Sequence, residues 1–296
     1  VKSEQGLMEL NFSISMWNYI HYFPLKKGGT NFAFENGLDG FAAVVEDVAS
    51  QGFGVEPWAK WTSWKWTSPE REGLISEQID LYDAAHHQRL GEILGGVRSS
   101  WHTGNEDTIE EYQRQIDTVA ATGSEVLVVH AGNLFLSGPN PDYGFAREVL
   151  QCAAAKQVTM ALENASEGEA DEDPSLWNLE ILKRALDALP DLKVCLDTTH
   201  TQKYRRHPLR EYIDALKERL CHLHISDAFA PEESFARMHT TPGRGTIPEG
   251  DWQYLLEALD EIDFEGDAVL EIIPSSPSKI AQETRRFLGQ LVPALR

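Results

Sequence analysis

The sequence predicts an α/β chain folded as one (β/α)8 barrel, and three observations lead there. Eight short β-rich runs recur from end to end, segments with helical apolar spacing lie between them, and no linker or low-complexity stretch divides residues 1–296. Strict β–α alternation implies a parallel sheet with right-handed crossovers, and eight such units can close into a barrel. An open doubly wound sheet is the alternative. No GxGxxG or GxxxxGK(S/T) fingerprint follows any run, which removes support for dinucleotide and P-loop sites.

The runs are LNFSISMW (10–17), GFGVEPW (52–58), GVRSSWH (96–102), EVLVVHAG (125–132), VTMALENA (158–165), LKVCLDTTH (192–200), LCHLHISDA (220–228) and DAVLEII (267–273). Several show little polar alternation, as strands buried on both faces do. Between them, Phe41, Val44, Val45 and Val48 share one helical face, and Ile109, Tyr112, Ile116, Val119 and Ala120 another. Leu176, Leu179, Leu182, Ala185, Leu186 and Leu189 form a third, and Leu255, Leu256, Leu259 and Ile262 a fourth. Ile280, Phe287, Leu288 and Leu291 close the chain, and Gly91 and Gly123 stand where helices would stop.

Bulk properties narrow the function. The net charge is −21, with 47 acidic residues against 26 basic ones, which disfavours nucleic acid and anionic membranes as partners. No stretch approaches the roughly 18 apolar residues of a membrane span. VKSEQGLMELNF lacks the basic-then-apolar order of a signal peptide. Cys152, Cys195 and Cys221 form no CxxC pair, so free thiols in a reducing, cytoplasmic compartment are expected.

Four runs in the second half end in residues able to bind a metal: Glu163, Asp197 with His200, His224 with Asp227, and Glu271. Such groups are costly at the end of a buried strand unless paired, and a divalent cation is their simplest common partner. Parallel barrels carry their chemistry at the C-terminal ends of strands, where His102 and His130 also fall. Alternation puts Ala161, Cys195 and Val269 one layer below Glu163, Asp197 and Glu271, a packed floor under a polar mouth. A single strand-end carboxylate is more often a cap, and His222 reads as a merely hydrogen-bonded histidine. Six consecutive endings point to a metal site.

The order VVHAG, LEN, LDTTH, HLHISD, H-x3-G-x-G (His239 to Gly245) and LEI resembles the xylose-isomerase-like TIM barrel superfamily. That superfamily includes sugar isomerases and epimerases, inosose and dehydroshikimate dehydratases, and endonuclease IV DNA-repair enzymes. The resemblance runs from the second run to the eighth. It implies that Glu163, Asp197, His224 and Glu271 hold one divalent ion, Mn2+ by first choice, with Mg2+, Co2+ or Zn2+ as alternatives. It further implies proton abstraction beside a carbonyl through a metal-stabilised enediolate. Glu163 and Glu271 would be the catalytic acid–base pair, and His200 would hold a substrate oxygen. Asp227 reads as a residue behind the ligands that orients a histidine. His102, His130 and His239 are candidates for a second metal or for substrate contacts.

Trp17, Tyr19, Trp58, Trp61, Trp64, Trp66 and Trp101 lie at or after the ends of the first three runs. Trp17 and Trp58 are candidate sugar-stacking residues, WAKWTSWKW reads as a loop able to cover the site, and Arg244 in GRG is a candidate substrate contact. Packing of these aromatics against the barrel, or against a second subunit, is the alternative.

The reading is therefore a single-domain, metal-dependent isomerase or epimerase of a small carbohydrate, cyclitol or polyol, with homo-oligomerisation left open. A lyase using the same enolate (a dehydratase or a C-glycoside-cleaving enzyme) is the alternative. An endonuclease IV role is weaker, because Arg237 stands where that branch has an Asp and the net charge repels duplex DNA. A non-catalytic metal-binding barrel is the remaining reading.

Overall fold

The computed structural model describes residues 10–19, 37–66, 74–104, 108–135, 141–164, 179–202, 208–228, 239–272 and 277–291. The strands are β1 (Asn11–Ser15), β2 (Gly54–Glu56), β3 (Lys60–Trp66), β4 (Leu74–Asp80), β5 (Trp101–His102), β6 (Val126–His130), β7 (Thr159–Glu163), β8 (Lys193–Asp197), β9 (Leu220–Ile225) and β10 (Asp267–Leu270). Eight of them form one parallel sheet in the order β2-β1-β10-β9-β8-β7-β6-β5. Parallel bridges Val55–Ser99 and Trp58–His102 join its two ends. There the Val55 amide donates to the Arg98 carbonyl and the His102 amide to the Pro57 carbonyl, each at 3.0 Å. The barrel is thereby nearly closed, as the eight runs predict.

The helices are α1 (Gly37–Ser50), α2 (His87–Leu94), α3 (Ile109–Ala121), α4 (Ala131–Phe135), α5 (Tyr143–Ala155), α6 (Leu179–Ala188), α7 (Leu209–Leu216), α8 (Glu249–Glu261) and α9 (Pro277–Leu291). Their apolar faces are the expected ones: Phe41, Val44, Val45 and Val48 on α1, and Tyr112, Ile116 and Val119 on α3, are buried. Thr108 starts α3 with a capping box, accepting from the Glu111 amide at 3.3 Å while Glu111 accepts from the Thr108 amide at 3.1 Å. Chain reversal after α3 uses Gly123 at φ +74°, where a side chain would be strained. Among the described residues, no helix is long and apolar enough to cross a membrane.

Two expectations fail locally. Gly91 does not stop a helix. It lies inside α2, where a Cβ would come within 3.3 Å of the Ala121 carbonyl, and the turn falls instead at Gly96, at φ +83°. The segment WAKWTSWKW is also not a loop: its larger part is β3, paired antiparallel with β4 through Trp61–Ile79 and six further positions. The buried Trp61 packs edge-on against Phe41 of α1, with ring centroids 5.4 Å apart. The side chains of Trp64 and Trp66, and the whole of Leu176 and Arg237, lie outside the described residues. The three cysteines are free thiols, Cys195 buried and the other two partly so.

Parallel barrels of this kind ordinarily fill their interior with branched apolar side chains. Here Val128, Ala161 and Cys195 form only a small interior apolar cluster. Glu56, Ser100, His222 and His224 are also wholly buried and contact one another. This polar interior lies beneath the mouth.

Candidate metal centre

The C-terminal ends of β7 to β10 deliver Glu163, Asp197, His224 and Glu271 to one point. One ligand atom from each lies within 4.8 Å of all the others, and all four residues are buried. His224 Nδ1 is 3.0 Å from Glu163 Oε1, 3.2 Å from Glu271 Oε2 and 3.9 Å from Asp197 Oδ2. Glu163 and Glu271 thus approach the same imidazole nitrogen from strands three apart.

Two asparagines hold this geometry. Asn164 brackets Asp197: its Oδ1 accepts from the Asp197 amide at 2.6 Å and its Nδ2 donates to the Asp197 carbonyl at 2.9 Å. Asn18, just past β1, does the same around Glu271, donating to the Leu270 carbonyl at 2.7 Å and accepting from the Ile272 amide at 2.9 Å. Each side chain continues the backbone pairing one step beyond a strand end, where carbonyls and amides would otherwise be unpaired.

The charges fit a cation. Burial is the largest influence on Asp197 and, with Glu163 and Glu271 adding to it, pushes its carboxyl up to about 7. Asp197 Oδ1 accepts from the His200 amide at 3.0 Å, but Oδ2 is buried with no hydrogen-bond partner. Burial would also raise Glu163, yet His224, His102, His130 and His200 hold it well below the ordinary carboxylate value. Glu271 is likewise lowered, by His224 and His239 against burial. Three crowded carboxylates, one orphaned oxygen and a histidine nitrogen suit a divalent ion with oxygen and nitrogen ligands.

The remaining histidines divide into two groups. His130 Nε2 lies 2.7 Å and His102 Nε2 3.3 Å from Glu163 Oε2, so these three offer a second close set of ligand atoms. His239 stands apart from that pair. Its Nδ1 is 3.2 Å from Ser226 Oγ and 4.0 Å from Glu271 Oε2. His200 Nδ1 lies 2.8 Å from the Asn164 carbonyl, which can only accept, so Nδ1 bears the hydrogen and Nε2 remains an acceptor. Burial lowers the pKa of both His200 and His239, which favours the neutral rings.

Trp58 stacks on His102 at 4.1 Å and 10°, and Trp17 stacks on Trp58 at 6.1 Å while meeting His239 edge-on at 5.3 Å. Both indoles therefore wall the histidine cluster. Trp101 is not part of that wall: it tilts against Tyr82, and its Nε1 donates to Thr122 on the helical side.

Two residues behave differently from expectation. Arg244 does not reach the cluster. Its side chain is 64% exposed and pairs with Glu283 of α9 at 3.1 Å. The sequence reading makes Asp227 the orienter of a histidine, whereas its oxygens accept from the amides of Ala228, Gly243, Gly245 and Ile247 at 2.9–3.1 Å. It thus fixes the loop that follows His239. Gly243 and Gly245 belong to this arrangement, since a Cβ on Gly245 would overlap the Asp227 carboxylate and Gly243 sits at φ +77°.

Sequence reasoning missed Glu56, Asn18 and Asn164. Glu56 ends β2 as Glu163 ends β7, so the strand-end signal was present in the first half as well. Asn164 stands in the quoted LEN motif.

No curated protein sequence matches the chain. Among solved structures it is similar to a D-tagatose 3-epimerase-like protein (TM-score 0.64, 16% identity, covering 97% of this chain and 98% of that one). It is also similar to D-allulose 3-epimerase from Methylomonas sp. in complex with D-allulose (0.61, 17%, 96% and 98%). A third similar structure is a Thermus thermophilus protein soaked with ZnCl2 (0.59, 18%, 98% and 100%). At these identities the likeness shows a shared fold. The family model described as "Xylose isomerase-like TIM barrel" matches residues 84–291, and the chain belongs to that family.

Proposed function

We propose that this protein is a divalent-metal-dependent isomerase or epimerase of a small carbohydrate or polyol. The observation that carries the reading is the pair of buried glutamates, Glu163 and Glu271, flanking His224 Nδ1 at 3.0 and 3.2 Å beside the orphaned Asp197 oxygen. A divalent ion held by these four residues would polarise a carbonyl and its adjacent hydroxyl, making the C–H between them acidic. Mn2+ is the first choice for that ion.

The chain's own groups then move the proton. Both glutamates are kept ionised by neighbouring histidines, so each is ready to accept one. Glu163 faces His224 through Oε1, while His130 and His102 orient Oε2. Glu271, from the strand three places away, would return a proton to the other face after taking one from solvent, and Glu163 would release to solvent the one it accepted. His200, with Nδ1 engaged by Asn164, offers Nε2 to a substrate hydroxyl. Trp17 and Trp58 supply flat apolar surface against C–H faces and exclude water.

The ligand named for the Methylomonas neighbour supports a keto sugar as substrate class. Incubating the Mn2+-loaded protein with ketohexoses in D2O tests the reading. Carbon-bound deuterium with an intact carbon and oxygen skeleton is the expected result. An unsaturated or cleaved product would reassign the site to a lyase, and absence of exchange in metal-loaded protein with a panel of keto sugars and cyclitol ketones would overturn the reading.

A further inference from the structure

Glu56 takes no part in the proton transfer above, yet it is wholly buried directly behind the metal centre. Its Oε2 lies 2.9 Å from His222 Nε2 and accepts from Ser100 Oγ at 2.9 Å. Its Oε1 approaches His224 Nε2 to 3.0 Å, a short but bent contact, closer to an ion pair than to a well-aligned hydrogen bond. His224 is therefore held at both ends. Nε2 faces Glu56, and Nδ1 faces Glu163, Glu271 and Asp197.

An ionised carboxylate can only accept, so the imidazole nitrogen turned toward it must carry the hydrogen. Without an ion that rule applies at both ends, since Nδ1 also hydrogen-bonds Glu163 Oε1 at 3.0 Å; an ion held by Glu163, Glu271 and Asp197 would take the place of the hydrogen at Nδ1 and leave the one at Nε2. We infer that Glu56 is the positioning residue of the metal centre: it commits His224 to the Nε2–H tautomer, so that Nδ1 is the atom presented to the ion. This rests on the metal reading of the preceding subsection and assigns a residue to it. Groups that fix the far nitrogen of a metal-binding histidine raise affinity, and losing one costs about 10–100-fold.

The identity of the residue matters as much as its place. His222 and His224 both turn Nε2 to the same carboxylate, so both require an acceptor there. A glutamine offers one oxygen and one NH2 group, so one of the two rings would meet a donor and be driven to the other tautomer. Ser100 Oγ keeps the carboxylate from rotating away.

Long-range 1H–15N NMR on the zinc-loaded wild-type protein should find His224 with hydrogen on Nε2 and the ion on Nδ1. Chelator competition should find zinc bound about 10–100-fold more weakly by folded Glu56→Gln and Glu56→Ala. Coordination through Nε2, or wild-type affinity in either folded variant, would overturn the inference while leaving the metal reading intact. If the wild-type protein binds no divalent ion, the metal reading and this inference fall together. If neither variant folds, the wild-type tautomer decides alone.

Discussion

The two halves of the barrel are built differently. From β7 to β10 the strands run four to six residues each, in parallel pairing with one register shift between β8 and β9 at Val194/Cys195, and each brings one candidate ligand to the rim. From β1 to β5 the wall is less regular: β5 has two residues, β2 and β5 meet only through isolated bridges, and a hairpin is inserted between them. The regular half holds the charges. The irregular half supplies Trp17, Trp58 and His102, which shape the space in front of them, and Glu56, which stands behind. Precise ligand geometry needs rigid neighbours, whereas variable loops can shape a substrate space without disturbing it.

Four experiments can break or sharpen this division. The largest effect belongs to the regular half: Glu163→Gln or Glu271→Gln should each lower kcat by about 10²–10⁴-fold, and chelation should abolish turnover reversibly. Full activity in both variants with metal bound would remove the two-carboxylate scheme. Next, Phe41→Ala should destabilise the protein by about 3–5 kcal/mol in denaturant titration, because it empties a fully buried position on α1 that supports Trp61 of the hairpin. Metal affinity should not change, and a parallel loss of binding would show that the halves are coupled.

Trp58→Ala should raise KM about tenfold, or about 1.4 kcal/mol, with little change in metal affinity. If the metal dissociation constant shifts by more than KM does, Trp58 serves the centre and not the substrate. The smallest effect is expected from Thr108→Ala, which removes the α3 cap on the outside of the irregular half. About 1 kcal/mol of stability should be lost, with kcat and KM unaltered.

The same contrast governs what the sequence makes legible. The β7–β10 ligands could be read because each follows an apolar run directly, and the eight-strand count emerged from those runs. The hairpin was obscured because LISEQID is half polar and its partner is rich in tryptophan, which suggests a covering loop as readily as a strand. Gly91 looked like a helix stop, since sequence cannot distinguish a terminating glycine from one that lets α2 approach the Ala121 carbonyl. Arg244 lies between two functional glycines, but its direction depends on Glu283, 39 residues away. Asp227 shows the same limit. Four backbone amides claim it, and backbone donors leave no trace in residue identity. Glu56 is the opposite case: it ends β2 as Glu163 ends β7, in a half of the sequence otherwise dominated by aromatic residues.

The Asn18 bracket has a consequence for how the protein is assembled. Asn18 and the Leu270 carbonyl it holds are 252 positions apart, so the first strand secures the last ligand. Glu163, Asp197 and His224 can come together while the chain is still incomplete, but Glu271 reaches its place only when the two extremities of the barrel meet. Closing that seam and completing the candidate metal site are then one event. Ion binding at these four residues would then be a property of the finished barrel, and Asn18→Ala should weaken zinc binding in chelator competition without loss of secondary structure by circular dichroism.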